Sequence, residues 1–215
     1  MEKDGAKIAF IGLSQSARFQ SITNKNFVEE GNRYITKLKP DVDLIVLLVN
    51  VRDDNILDLS SSFAEADYIF LSGSTKRTEP RTLQSKEGAL VYAGGIQGKH
   101  LSILDIRIKE SDNAINDVSA PFNRLQEIDY RLNRLKAKDP SKKLEEVYAN
   151  QPNVLDLIKK YQKEATELGI SLAGYQNRSI FFSVPLSPTI PDDKEVAAFI
   201  ENIARKADFP LKHEH

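Results

Sequence analysis

Hydrophobic and polar residues alternate in blocks along the first third of the chain, and these blocks predict alternating strands and helices. Residues 7–13 (KIAFIGL) form a short β-rich run, and residues 43–51 (DLIVLLVNV) form the continuous aliphatic run typical of a strand buried on both faces. Between them, residues 27–39 carry apolar side chains at helical spacing, and Pro40 ends that pattern. A third strand is predicted at residues 67–71. The apolar positions Ile56, Leu57, Leu59 and Phe63 predict a second helix ahead of it. The order β-α-β-α-β predicts a parallel sheet with helices on its faces.

The pattern changes after Gly73. Residues 89–93 (ALVYA) and 100–108 (HLSILDIRI) have the composition of strands, and the Gly-rich run 94–98 lies between them. A short Gly-rich connection of this kind predicts a turn that joins an antiparallel pair. The second strand alternates apolar and polar residues, so we expect one of its faces to lie in water.

Residues 119–168 are densely charged, with apolar side chains recurring every three or four positions. The apolar positions are Phe122, Leu125, Ile128, Leu132 and Leu135, followed by Leu144, Val147, Tyr148, Leu155, Ile158, Tyr161, Ala165 and Leu168. A break at residues 139–141 predicts two antiparallel helices, with Pro152 either kinking or splitting the second. We interpret the interleaved charges as the solvated face of a coiled-coil-like hairpin rather than as a polyanion site.

The remaining chain predicts a strand at residues 178–186 and an amphipathic helix that begins at residues 191–193, with acidic residues in its first turn. The predicted fold class is therefore α/β, in three segments. Residues 1–110 form an α/β domain, residues 111–172 form the helical hairpin, and residues 173–215 form a strand and helix that return to the α/β domain.

Composition narrows the classes of function. The 215 residues include 30 Lys+Arg and 31 Asp+Glu, and a net charge of -1 gives no basic excess for a nucleic-acid partner. A hydrophobic fraction of 40% and a mean hydropathy of -0.40 predict a globular chain without a membrane span or a membrane partner. The absence of cysteine excludes disulfides, thiolate metal sites and cysteine nucleophiles. The first residues resemble no secretory leader, which predicts a cytoplasmic protein as the sequence stands, or a periplasmic one if it is a mature fragment.

Few residues carry recognisable chemistry. Gly12 follows a strand, but no phosphate-binding glycine spacing follows it. The three histidines, His100, His213 and His215, form no spacing typical of a metal or catalytic site, so we predict no catalytic residue, no metal and no cofactor.

One turn is a candidate anion site. It consists of Ser72, Gly73, Ser74, Thr75 and Lys76. It follows the third predicted strand, and the carboxyl ends of parallel strands are where open α/β sheets bind ligands. A plain loop is the alternative interpretation of the same residues.

Residues 7–108 resemble the second half of the calcineurin-like metallophosphoesterase domain of bacterial 5'-nucleotidases. The matching segments, in the family's order, are KIAFIGLS, DLIVLLVNV, DYIFLSGSTK and AGGIQGKHLSILDI, of which the last is the most specific. After the charged hairpin, SIFFSVPLSPTIPDDKEVAAFI resembles the nucleotidase-like modules that precede multihaem cytochromes in some bacterial proteins. The resemblance implies half of a metallophosphoesterase-like α/β sandwich with an inserted hairpin.

The departures from that family bear on activity. The resemblance implies metal-ligating histidines at three positions, and here they are Asn50, Ser74 and Lys76. The motifs of the family's first half have no counterpart in this sequence, and a two-metal site requires ligands from both halves. We therefore expect a non-catalytic, metallophosphoesterase-like module that acts by binding or assembly.

Two alternatives remain open at this point: a metal-dependent phosphoesterase or nucleotidase completed by a second chain, and a small-anion binder. The predicted partner is a second copy of the chain, or a protein that covers the sheet. The resemblance adds a cytochrome-type redox protein to these partners.

Overall fold

The computed structural model describes residues 1–14, 26–51, 58–84, 87–110, 114–187 and 189–207. The strands are β1 (Glu2–Lys3), β2 (Ala6–Ser14), β3 (Leu44–Asn50), β4 (Tyr68–Ser72), β5 (Leu90–Ala93), β6 (His100–Arg107), β7 (Asn116–Asp117) and β8 (Arg178–Pro185). The α-helices are α1 (Phe27–Leu38), α2 (Leu59–Ser62), α3 (Ser119–Lys136), α4 (Leu144–Val147), α5 (Pro152–Gly174) and α6 (Lys194–Lys206). The chain divides into two compact units, Met1–Val184 and Pro185–His215.

The first unit contains a five-stranded sheet of order β1-β2-β3-β4-β5. Strands β2 to β5 are parallel to their neighbours, and only the short β1 is antiparallel. In one row across the sheet, Gly12 pairs with Leu48, Leu48 with Phe70, and Phe70 with Tyr92. The predicted parallel β-α-β-α-β unit is confirmed. The predicted second helix is the single turn α2, and Ile56 and Leu57 lie outside the described residues.

The predicted antiparallel pair of residues 89–93 and 100–108 is wrong. Strand β5 extends the parallel sheet beside β4, whereas β6 lies in a separate sheet of order β6-β8-β7. The free edge of β5 is occupied by other groups. The Gln84 side-chain amide makes hydrogen bonds of 3.1 Å to both the N–H and the carbonyl of Val91. The backbone N–H of Thr78 bonds the Ala93 carbonyl at 2.9 Å. The backbone groups that β6 would need for pairing with β5 are therefore already in use.

Three hydrophobic clusters divide the first unit into four layers. One face of the parallel sheet packs against α1 and α2, through residues such as Leu47, Ile35 and Phe63. The opposite face packs against the three-stranded sheet, where the Tyr92 and Phe181 rings stack at 4.4 Å. The far side of the three-stranded sheet carries the hairpin of α3 and α5. The structure is thus a mixed α/β fold with two sheets between layers of helices.

Helices α3 and α5 run antiparallel, as predicted. Arg124 near the start of α3 donates to both carboxylate oxygens of Glu164, at 2.7 and 2.9 Å, and Arg131 further along α3 donates to the Tyr161 hydroxyl at 2.6 Å. The predicted second helix is split at Pro152, as one of the two alternatives had it: the single turn α4 precedes the break, and α5 begins at Pro152. A proline at the first helical position lacks only an N–H that has no partner there anyway. The first turns of α3 and the last turns of α5 pack on β8 of their own chain.

The second unit contains α6. The Asp193 side chain accepts hydrogen bonds of 3.0 Å from the backbone N–H groups of Glu195 and Val196, which fixes the start of the helix. The apolar residues predicted for one face of this helix are more than one-third exposed. They are Val196, Phe199, Ile200 and Ile203. The predicted return of residues 173–215 to the α/β domain stays a prediction.

Gly31 allows α1 to lie close to the sheet. A Cβ atom at this position would come within 2.6 Å of a Phe63 ring carbon and 2.8 Å of a Leu13 methyl carbon. We expect Gly31→Ala to lower the free energy of unfolding by about 1–2 kcal/mol, because overpacking exceeds the gain in helix propensity. Urea denaturation checks this.

Gly169 provides the matched control. It also lies within a helix, α5, but a Cβ atom there would meet nothing within 4 Å. Gly169→Ala should raise the free energy of unfolding by roughly 0.5–1 kcal/mol. If both variants were stabilised, α1 would not depend on close approach at Gly31.

Between the two sheets lie buried phenols. The hydroxyls of Tyr68 and Tyr92, and that of Ser179, make no hydrogen bond to other described residues. Burial raises the pKa of Tyr92 far above its ordinary value, and the Asp117 carboxylate acts in the same direction. The phenol therefore stays neutral in the folded protein, while the unfolded chain ionises near pH 10.

We therefore expect the ring of Tyr92 to contribute more to the free energy of unfolding than its hydroxyl does. Tyr92→Phe should leave the free energy of unfolding at pH 7 within about 1 kcal/mol of the native value, because no hydrogen bond is lost. Above about pH 10 the native protein loses stability as unfolded Tyr92 ionises, so the variant should gain a growing advantage. Chemical denaturation at pH 7 and 11 measures both values. A clear loss at pH 7 would mean that the hydroxyl makes a bond in the core.

Candidate functional site

Three of the four parallel strands end on polar side chains at the carboxyl end of the sheet. Ser14 of β2 pairs with Asn50 of β3, and Asn50 pairs with Ser72 of β4. The Asn50 amide donates to the Ser72 hydroxyl at 3.1 Å, and that hydroxyl lies 3.4 Å from the carbonyl of Val49. Asn50 therefore ties two neighbouring strand ends together.

The turn after β4 needs a glycine. Gly73 has φ +80°, and a Cβ atom there would lie 3.0 Å from the Val51 carbonyl oxygen and 3.2 Å from Asn50 Oδ1. This tight turn brings Ser74 into the interior, where it is only 3% exposed and its hydroxyl accepts the backbone N–H of Lys76 at 3.0 Å. The side chains of Thr75 and Lys76 are exposed.

Lys76 and Arg77 line a shallow cavity of about 380 Å³ beside this turn, together with Thr78 and Thr82. Among the described residues, Lys76 has no ion-pair partner, whereas Arg77 pairs with Glu79. The carboxylate of Asp58 also lines the cavity, and it accepts from Ser61 N at 3.3 Å at the start of α2. The cavity therefore offers the Lys76 ammonium and hydroxyl groups to a small anion, with the Asp58 carboxylate in the same wall opposing anion binding.

Asn50, Ser74 and Lys76, the three positions at which the resemblance implies metal ligands, lie at or near the carboxyl end of the sheet, but their side chains have different roles. Asn50 bonds a neighbouring strand, Ser74 bonds its own turn, and Lys76 extends into solvent. Across the described ranges, no three His, Cys, Asp or Glu side chains come together in a way that could hold a metal ion. His100 begins β6, and His213 and His215 lie outside the described residues.

Sequence reasoning found the turn but missed the rest of the cavity. Arg77 follows Lys76 directly and could have been included as a second cation. Thr82 gave no signal, since only the path of residues 77–84 along the edge of β5 brings it to the cavity.

No family model matches this chain, and no curated protein matches its sequence. Among the described helices, none combines the length and the apolar character needed to cross a membrane.

Inorganic phosphate tests the cavity. We expect weak binding that Lys76→Ala weakens roughly two- to fivefold, the range for the loss of one exposed ionic contact. Titration followed by NMR chemical-shift changes at residues 72–78 measures it. Lys99→Ala, which removes an equally exposed cation from the turn before β6, should leave the affinity unchanged. Equal affinities for all three proteins would remove Lys76 from the site.

Proposed function

We propose that this chain is a non-catalytic, metallophosphoesterase-like module that acts by assembly, and that its partner is a second copy of itself joined along β6. The observation that carries the proposal is an eight-residue edge strand with exposed aliphatic side chains. β6 ends the three-stranded sheet, so one edge has no neighbour in the sheet order. On its outer face Leu101 is 50% and Ile103 is 42% exposed.

Edge strands of this kind favour pairing. Unsatisfied N–H and carbonyl groups along an edge form a template for another strand, and proteins that remain monomeric usually protect such edges with charge, proline or a covering element. The covering is seen on the other sheet, where Gln84 and Thr78 occupy the edge of β5. Among the described residues of the first unit, no such element covers Leu101 and Ile103, and the charges of β6, on Asp105 and Arg107, lie only at the other end of the same face.

A second copy fits this edge better than a charged partner. Two β6 strands related by a two-fold axis would pair antiparallel and bring the same aliphatic side chains together. The net charge of -1 opposes self-association little. A cytochrome-type redox protein, implied by the family resemblance, is the alternative occupant of the surface.

A second uncovered surface supports a binding role. Leu44, Val46 and Leu48 share one face of β3, and the first two are buried under the other sheet. Leu48 is 48% exposed, and Phe10 on the neighbouring strand is 52% exposed. An apolar patch on a sheet face is a common mark of an interaction site.

The non-catalytic part of the proposal rests on what the altered positions do. Asn50 and Ser74 make hydrogen bonds within the strand ends and the turn, and Lys76 introduces a positive charge where a ligand to a cation would be needed. A small-anion binder is the second candidate function, favoured by the cavity beside Lys76 and Arg77.

Equilibrium sedimentation tests the assembly. We expect twice the chain mass of 24.2 kDa at micromolar concentration. Ile103→Lys should give a monomer, because it places a charge on the pairing edge without disturbing the core. Circular dichroism checks that the variant remains folded.

Ile170→Lys is the matched control. Ile170 is 70% exposed on α5, away from β6, and its replacement should preserve the dimer. Dissociation by Ile170→Lys but not by Ile103→Lys would move the interface to the hairpin. A monomeric native chain would refute self-assembly.

A further inference from the structure

A cavity of about 600 Å³ lies within the first unit, at the amino-terminal ends of β4 and β5. Its size is in the range of small-molecule sites. Polar groups in its wall come from Asp67, Asn116 and Asp117, and apolar ones from Leu83, Leu90 and Ile115. This cavity is separate from the strand ends that carry the candidate anion site.

Both carboxylates in the wall have spare acceptor capacity. Asp67 accepts the backbone N–H of Ile45 through one oxygen, at 2.7 Å. Asp117 accepts the backbone N–H of Ser119 at 3.0 Å, and the hydroxyl of the same residue, both through Oδ1. Within the described chain, the second oxygen of each carboxylate makes no hydrogen bond. A ligand with N–H donors could satisfy both.

The Gln84 amide, also in the wall, is engaged with Val91 of β5, whereas Asn116 offers a further acceptor. The Asn116 amide nitrogen donates to the carbonyls of Ala114 and Asn177, at 3.2 and 3.4 Å, which leaves the amide oxygen as the group available to a ligand. Tyr68 also lines the cavity; its side chain is fully buried, and its hydroxyl has no hydrogen-bond partner among the described residues. That hydroxyl lies in the core between the two sheets and is closed to solvent, so the groups offered to a ligand are the two carboxylates and the Asn116 amide oxygen.

Among the described residues of the wall, no cation balances these groups. None of the lining residues that the structure describes is Lys or Arg. Lys39 acts on the Asp67 carboxyl from outside the wall, where its ammonium pairs with Glu65 at 3.5 Å. Desolvation is the larger influence on Asp67 and raises its pKa, because the carboxylate is partly withdrawn from water.

We propose that this cavity binds an aliphatic diamine, with ammonium groups on Asp67 and Asp117 and an alkyl body against Leu83, Leu90 and Ile115. The ligand supplies donors to a wall of acceptors and positive charge to two carboxylates. Its methylene groups match the apolar part of the lining. The site is independent of the proposed assembly through β6.

Calorimetric titration with 1,6-diaminohexane tests the proposal, with 1,6-hexanediol as the uncharged probe of the same length. We expect the diamine to bind and the diol not to bind. Asp67→Asn and Asp117→Asn should each weaken diamine affinity roughly 10- to 100-fold, the range for the loss of a charge-assisted hydrogen bond. Asn can still accept the bonds from Ile45 and Ser119, so both variants should remain folded.

Asp105→Asn is the matched control. Asp105 is an exposed carboxylate on β6, outside the cavity, and its replacement removes the same charge. Its affinity for the diamine should equal that of the native chain. An equal loss in this variant would mean general attraction of the amine to a negative surface and would overturn the proposal.

A steric variant covers the case in which an Asp replacement unfolds the protein. Ala120 lines the cavity in the first turn of α3, and Ala120→Leu fills space while keeping both carboxylates. It should abolish diamine binding with the circular dichroism spectrum unchanged. Undiminished binding in Ala120→Leu, or no binding of the diamine by the folded native chain at millimolar concentration, would refute the site.

Discussion

The burial of β3 on both faces is the constraint on which the other layers depend. Ile45, Leu47 and Val49 face α1 and α2, while Leu44 and Val46 face the second sheet. Each of these side chains contributes about 1.5–3 kcal/mol when it is fully withdrawn from water, so both faces of the strand need a covering layer over most of their length. Among the aliphatic side chains of β3, only Leu48, near the end of the strand, stays half-exposed on its face. Helices alone cover one face. The second sheet is therefore required by the same strand, and the hairpin is required in turn by the outer face of β8.

Sequence patterns predicted those parts of the fold that follow from the order and spacing of apolar residues along the chain. The parallel unit followed from the lengths and spacing of apolar runs, and the hairpin followed from its 3–4 periodicity. The pairing of β5 could not be predicted in this way, because it depends on which strand edge is free. Gln84 occupies that edge through a side-chain amide, and nothing in its sequence neighbourhood distinguishes it from a surface glutamine. The Gly-rich run therefore connects two sheets instead of closing a hairpin.

The same distinction applies to the sites. The turn of residues 72–76 could be predicted because strand order alone places it at the carboxyl edge. The opposite cavity could not, because Asp67 and Asp117 are 50 positions apart and meet only when the sheets stack. A net charge of -1 also gives no sign that positive and negative groups are separated between the two ends of the sheet. Among the described residues, Lys76 without an ion-pair partner lies at the carboxyl ends of the parallel strands, and carboxylates with spare acceptors line the cavity at the amino ends. The two ends of one sheet thus present opposite chemistry to ligands.

The exposure of β6 does not result from too little helix. Strands lie about 4.8 Å apart and packed helices about 8–10 Å apart, so two helices are wide enough to cover three strands. The hairpin is instead offset to one side. Helix α3 begins two residues after β7, at the far edge of the sheet from β6, and the residues that pack under it come from Val118 and from β8. Because the short connection holds the hairpin near β7, Leu101 and Ile103 stay uncovered even though enough helix is present. The exposed outer face of β6 is therefore a consequence of the connection between β7 and α3, and a longer connection would be needed to cover that face from within the chain.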